Sequence, residues 1–377
     1  MPEGFRSPPA ADQSDPPPLD RSSGPARFWQ AASGYWRGPG SATAWGITLV
    51  LILSICAQIL IQYRLNLWSH DFFDALERRD GHTLRTEALL FVLFAGLSVS
   101  VAITTVWSRM TLQREWRAWL TRQLIARWFA GAAVARLRFE SGEDENPEYR
   151  IAEDVRIATD APVALVAGLL SASLGAVTFI GILWNVGGDL SIRLNASLLT
   201  VPKYLVIAVG LYALLLTLTM ALIARGMMRV IASKNAAEAQ FRAIGARLQL
   251  TSAQPVERQD AGILQGRMTA AFAAVILDWR LLCYQWMRTT MISQGNVLVA
   301  PIVGWLLCAP KYLTGTMTLG QVAQAVSAFV LVQAALNWLV DNYPGLADCL
   351  SSVDRVAALL RALDRSWQER CSRGGGG

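Results

Sequence analysis

The stretch APVALVAGLLSASLGAVTFIGILWNVGG, residues 161–188, runs for 28 positions without a charged side chain. Five other stretches do the same: 38–63, 88–108, 204–224, 289–310 and 312–340, with lengths of 26, 21, 21, 22 and 29 residues. A helix needs roughly 20 apolar residues to cross the hydrocarbon core of a bilayer. Lipid offers main-chain N–H and C=O groups no partners, so each stretch must close its hydrogen bonds on itself as a helix. The sequence predicts an all-α integral membrane protein with six transmembrane helices. Composition agrees: 53% of the residues are hydrophobic and 16% charged, against ~25% charged in soluble domains.

A net charge of +6 suggests nucleic acid in a soluble chain. Here its distribution points to topology. With the N-terminus in the cytoplasm, 27 Lys and Arg side chains fall inside and 7 outside. That split follows the positive-inside rule and predicts both termini cytoplasmic, with membrane lipid rather than nucleic acid as the partner. The five cysteines (Cys56, Cys283, Cys308, Cys349, Cys371) form no CxxC pair, and small apolar packing residues account for them. His70 and His82 lie near Asp71, Asp74 and Asp80, too few ligands for a convincing metal site. No metal site and no catalytic constellation is expected: there is no HExxH motif and no histidine within a span.

The connections are unequal. Those assigned outside are short, whereas the inner ones, 109–160 and 225–288, are long. Trp116, Leu120, Leu124 and Trp128 recur every four residues, with Arg117, Arg122 and Arg127 on other faces. Phe241, Ile244 and Leu248 repeat the pattern in the second loop. This is amphipathic helical periodicity, so the spans are predicted to continue as long cytoplasmic helical extensions. The Pro-rich segment 1–27 is expected to be a disordered arm. Phe28, Trp29, Tyr35 and Trp36 fit an interfacial helix or belt. Residues 28–364 form the membrane domain, and 365–377 a flexible tail.

One motif stands out at 146–155, Asn-Pro-Glu-Tyr-Arg-Ile-Ala-Glu-Asp-Val. Asn146 can cap a helix, Pro147 suits its first position, and Glu148 meets the positive end of its dipole. A good helix start does not account for the acidic-basic cluster of Arg150, Glu153, Asp154 and Arg156. Further motifs follow in order: Trp116-Arg117-x-Trp119-Leu120, Pro202-x-Tyr204-Leu205-Val206, Ala309-Pro310-x-Tyr312, Thr318-Leu319-Gly320, Asn337-Trp338 and Val353-Asp354-Arg355.

In these motifs and their order, the chain resembles the transmembrane half of ABC transporters of the SbmA/BacA and YddA-like family, related to the peroxisomal fatty-acyl transporters. The resemblance covers about 28–364. It implies a half of the type IV ABC-exporter fold, working as a homodimer or beside a similar half. It implies transport of peptides or other bulky hydrophilic solutes across the bacterial inner membrane. It also implies a docking tip for an ATPase at Asn146, Pro147, Arg150, Glu153 and Asp154. Two departures are Tyr149, where many relatives have Gln, and the segment Leu250–Gly262, which lacks the usual Gly-Glu.

The energy source stays open at this stage. A phosphate loop needs a Gly-Lys pair, and none of the three lysines, Lys203, Lys234 and Lys311, follows a glycine. ATP and Mg would then act through a separate ATPase subunit, or through a domain of a longer protein of which this chain is a part. The alternative is an SbmA/BacA-like proton-driven uptake transporter, for which Asp278, Glu238 and Glu257 are the carboxylate candidates. Asp278 lies in an apolar run, and an ion pair with Arg280 or Arg288 is expected there. A non-transporting membrane scaffold is the remaining alternative.

Overall fold

The computed structural model describes residues 24–38, 40–130, 150–194, 197–251 and 258–374. Asn146, Pro147 and Glu257 lie outside them. The helices are α1 (Gly24–Ala32), α2 (Ser41–Glu77), α3 (Gly81–Ala130), α4 (Val155–Gly187), α5 (Tyr204–Thr251), α6 (Arg258–Leu313), α7 (Leu319–Asp341) and α8 (Tyr343–Gly374). A π turn, Arg150–Asp154, leads into α4. Among the described residues, six helical segments are long and apolar enough to cross a membrane, and each holds most of one of the six charge-free stretches, in order. Large side chains such as Leu89, Val177 and Leu298 are exposed on them, as helices solvated by lipid require.

The helices outrun the spans. The charge-free stretch in α3 ends at 108, but the helix continues to Ala130. That in α5 ends at 224, and the helix reaches Thr251. At ~1.5 Å per residue, the 56 residues of α6 extend about 84 Å, well beyond the ~30 Å hydrocarbon core. The expectation of long helical extensions therefore holds for α3, α5 and α6. The boundary expectations meet two differences. The segment 1–27 already enters α1 at Gly24, and α8 continues across 365 to Gly374. A third feature was not foreseen: between α4 and α5, β1 (Leu190–Leu194) pairs antiparallel with β2 (Ser197–Val201).

The chain divides into two compact units. The smaller comprises the N-terminal residues up to Ser41, the segment Trp116–Ala158, and Cys349 onward. Its core includes Phe28, Ala32, Trp116, Leu120 and Leu124, together with one face of α8 at Val353, Val356, Ala357, Leu360 and Leu363. Trp116 is fully buried, and its Nε1 donates to the Ala32 carbonyl at 3.1 Å. The Trp29 and Trp36 rings meet it edge-on at 6.3 and 5.2 Å. A Cβ on Gly34 would stand 2.8 Å from the Trp119 ring, so glycine lets the turn after α1 approach α3. The aromatic run before span one is thus a helix and turn fastened to the α3 extension.

The larger unit holds the spanning bundle. Phe179, Leu183, Leu205, Val209, Val322 and Phe329 form its apolar core. Polar contacts join its helices: Gln58 donates to Ser98 at 3.0 Å, Asn66 to the Gln324 carbonyl at 3.0 Å, and Tyr212 to Asn296 at 2.9 Å. Lys311 donates to the Gly187 carbonyl at 2.6 Å. That bond satisfies a carbonyl left open at the C-terminus of α4.

The join between α2 and α7 is made by main-chain capping. Asp74 Oδ1 accepts the Gly320 N–H at 2.9 Å, and Glu77 accepts the Leu319 N–H at 3.0 Å. A capping box of Thr318 and Gln321 completes the first turn of α7. A Cβ at Gly320 would overlap the His70 carbonyl oxygen and the Asp74 carboxylate.

The α2–α3 turn carries a second acidic cap. Asp80 accepts the N–H groups of His82 and Thr83 at 3.0 and 3.3 Å, and the Thr83 hydroxyl at 2.6 Å. The Thr83 bonds hold its carboxyl below the ordinary value of 3.8. A carboxyl depressed on folding stabilises the fold fully above its unfolded pKa and loses that contribution as pH falls through its folded one. Amide exchange at His82 and Thr83, normalised for intrinsic rates, is expected to be flat near neutral pH. It should rise only below the ordinary Asp range, and Asp80→Asn should blunt the change.

Candidate functional site

The acidic-basic tip is described from Arg150 onward. Its π turn is a geometry that recurs at functional sites. The structure separates the two acids that the motif places side by side. Glu153 faces outward and pairs with Arg156 at 2.6 Å, both side chains being more than a third exposed. Its carboxylate is a surface group, and both of its oxygens accept from the Arg156 guanidinium. Asp154 points the other way: its side chain is 5% exposed and accepts from Arg355 Nε on α8 at 2.9 Å. Arg355 also donates to Ser352 at 2.9 Å, and Arg117 donates to the Ala152 carbonyl at 3.3 Å. Asp154 therefore ties the start of α4 to α8, and the Val353-Asp354-Arg355 motif supplies its partner. Asn146 and Pro147 are outside the described residues.

Two of the three carboxylates expected for proton coupling, Asp278 and Glu238, sit on the α5–α6 pair. Asp278 accepts a hydrogen bond from Ser233 at 2.9 Å. The expected ion pair with Arg280 or Arg288 gives way to this bond, because the facing helix brings a hydroxyl into reach first. Glu238 pairs with Lys234 at 3.1 Å, one helical turn apart. Lys234 Nζ also lies 4.7 Å from the centre of the Trp279 ring. These contacts form a clasp between two helices. Glu257 falls outside the described residues.

Within the spanning unit, α2, α4 and α7 line an open pocket of about 210 Å³. Ile59, Gly175, Phe179, Leu331, Ala334 and Ala335 supply apolar wall, and Gln62, Ser171 and Trp338 supply polar groups. No charged side chain lines it. Small residues on α4 create the space, and Gly168 admits the Trp338 ring, which a Cβ would meet at 2.6 Å. Ser171 and Gly175, four residues apart on α4, line this pocket. Ala167 is buried. Sequence reasoning missed the site because its walls come from three distant segments. The four-residue spacing of Gln58, Gln62 and Asn66 was the available signal: it puts three amides on one face of an otherwise apolar helix.

The chain is 25% identical over 334 residues to the inner membrane ABC transporter ATP-binding protein YddA of Escherichia coli, covering 85% of this chain and 58% of that protein. It is 22% identical over 351 residues to the chloroplastic ABC transporter D family member 2 of Arabidopsis thaliana, covering 90% and 46%. An uncharacterised ABC transporter ATP-binding protein of Synechocystis is 22% identical over 280 residues, covering 73% and 40%. The chain spans about half the length of the curated relatives it matches. Residues 39–313, carrying spans one to five, match the family model of ABC transporter transmembrane region 2. Six spans, long helical extensions and this match together make the chain a member of the ABC transporter transmembrane region 2 family.

Proposed function

We propose that this chain is the membrane-spanning subunit of an ABC-type transporter that moves peptides or other bulky hydrophilic solutes across the bacterial inner membrane. It works as a two-fold dimer, or beside a similar half, with both termini in the cytoplasm. ATP and Mg act on a nucleotide-binding domain, either a separate subunit or a further part of a longer protein. The observation that carries this reading is the continuity of α3, α5 and α6 beyond their spans. A rigid helix several turns past the bilayer can transmit a displacement at its tip to the span itself. The exposed Glu153–Arg156 pair at the start of α4 is a polar contact of the kind a docking surface uses.

The test is transport in proteoliposomes, with an ATPase partner and ATP in one arm and a proton gradient alone in the other. ATP-dependent uptake that Glu153→Ala reduces at least tenfold, with membrane insertion unchanged, is the expected result. Uptake that follows the proton gradient and ignores Glu153→Ala would replace this reading with proton-driven transport. No movement of solute in either arm would leave a membrane scaffold.

A further inference from the structure

The α5–α6 pair carries a charge imbalance at the edge of the hydrocarbon. Arg225 is the first charge after the stretch 204–224, and Arg288 is the last before 289–310. The two helices meet at this level: a Cβ on Gly226 would stand 2.9 Å from Gln285 Nε2. Counting ~1.5 Å of rise per residue from that contact, Arg225 and Arg288 differ in height by about 3 Å. Contacts further along fix the flanks of the pair. Ser233 meets Asp278 in the seam, and Lys234 meets the Trp279 ring on one side of it. Successive residues turn by about 100°. Arg225 and Arg229 therefore fall on the side of α5 away from Lys234, and Tyr284 and Arg288 on the side of α6 away from Trp279. The antiparallel helices bring these four exposed side chains to one flank. Among the described residues, none of the three arginines makes an ion pair. The acids nearest in sequence are engaged elsewhere: Asp278 by Ser233 in the seam, and Glu238 by Lys234.

We propose that this flank binds an anionic phospholipid, its phosphate among Arg225, Arg229 and Arg288 and an acyl chain along the span beyond them. Leu211, Leu218 and Leu222 continue the same side of α5 into the span and are exposed. Val299 and Ile302 do so on α6. Between them and Arg288 lies Gly295, where nothing stands within 4 Å of the place a Cβ would take, which leaves room for a chain. An apolar stripe that ends in unpaired cations is complementary to a molecule with a hydrocarbon chain and an anionic head. A free phosphate would use the arginines and leave the stripe idle. Guanidinium groups bind phosphate oxygens in pairs, and basic clusters at the ends of spans attract anionic headgroups. Tyr284 adds a hydroxyl at headgroup level. A zwitterionic lipid brings its own cation, which three arginines repel. The binding is independent of the transport proposed above.

The experiment is native mass spectrometry of the full chain in mild detergent, with phosphatidylglycerol and phosphatidylcholine of the same acyl chains added in equal amounts. Phosphatidylglycerol is expected to be retained at least tenfold better. Arg225→Gln combined with Arg288→Gln should bring the two lipids close to parity, with the melting temperature of the lipid-free protein unchanged. Arg225→Lys with Arg288→Lys should keep most of the preference. Arg280→Gln, on the back of α6, should keep all of it. Equal retention of the two lipids by the parent overturns the proposal, as does a preference that survives the double glutamine variant. So does a preference lost equally in Arg280→Gln, which would be a diffuse attraction to basic surface. Displacement of the lipid by inorganic phosphate, but not by chloride at equal ionic strength, would make this a free-phosphate site and overturns it too. A parent that binds no lipid but forms a dimer, which the double glutamine variant breaks, would give the flank to a second copy instead.

Discussion

Gly320→Val is expected to loosen the join between spans one and six more than any other single change in the membrane unit. The added Cβ would overlap the His70 carbonyl and the Asp74 carboxylate, and α2 would have to move away. Overpacking of that kind costs about 1–3 kcal/mol. Retreat of Asp74 also uncaps Gly320, adding about 1 kcal/mol. A clear fall in the melting temperature of the chain in mild detergent is the measurement. Asp74→Ala removes the same cap without the overlap, so it should lower the melting temperature by less. A Gly320→Val protein that melts with its parent would show that the first turn of α7 is not held by α2.

The second large effect is expected at Asp154. Removing one partner of a buried ion pair costs about 3–5 kcal/mol, and the partial exposure of Arg355, 43%, reduces this to about 2 kcal/mol. Asp154→Ala should therefore destabilise the smaller unit, seen as faster proteolysis of α8 and a lower melting temperature. Arg355→Ala should do nearly the same, and the double variant should cost little more than either single one. Glu153→Ala breaks a surface pair worth ~0–1 kcal/mol, so it should leave stability almost unchanged. If Glu153→Ala proved the more destabilising of the two, the division of roles between these adjacent acids would be reversed.

That division shows where sequence and structure part. The spans were legible because lipid imposes one rule on every residue of a crossing helix, and a missing charge is visible without knowing any neighbour. The extension at Trp116, Leu120 and Leu124 was legible from a four-residue repeat, and all three side chains are buried. The roles of Glu153 and Asp154 were not, since adjacent positions on a helix point about 100° apart and Arg355 lies 201 positions from Asp154. Asp74 and Gly320 are 246 positions apart, and their bond uses a main-chain N–H, which leaves no pattern in the sequence of α7. The hairpin did leave one. Leu190, Ile192 and Leu194 alternate with Ser191 and Arg193, a period of two set in a connection too short to draw notice.

The polar contacts inside the spanning bundle have a consequence for its acid–base behaviour. Gln58–Ser98, Asn66–Gln324 and Thr217–Asn337 are built from carboxamides, two hydroxyls and a main-chain carbonyl. None of these groups gains or loses a proton at any pH a cell maintains. Acidifying one side of the membrane leaves those joints as they were. The described acids lie instead near helix ends and on the extensions: Asp74, Glu77 and Asp80 at the ends of α2 and α3, and Glu238 and Asp278 on the α5–α6 pair. Among the described residues, a pH difference acts on these acids at the rims of the bundle, while the joints in its middle answer to shape and hydrogen bonding.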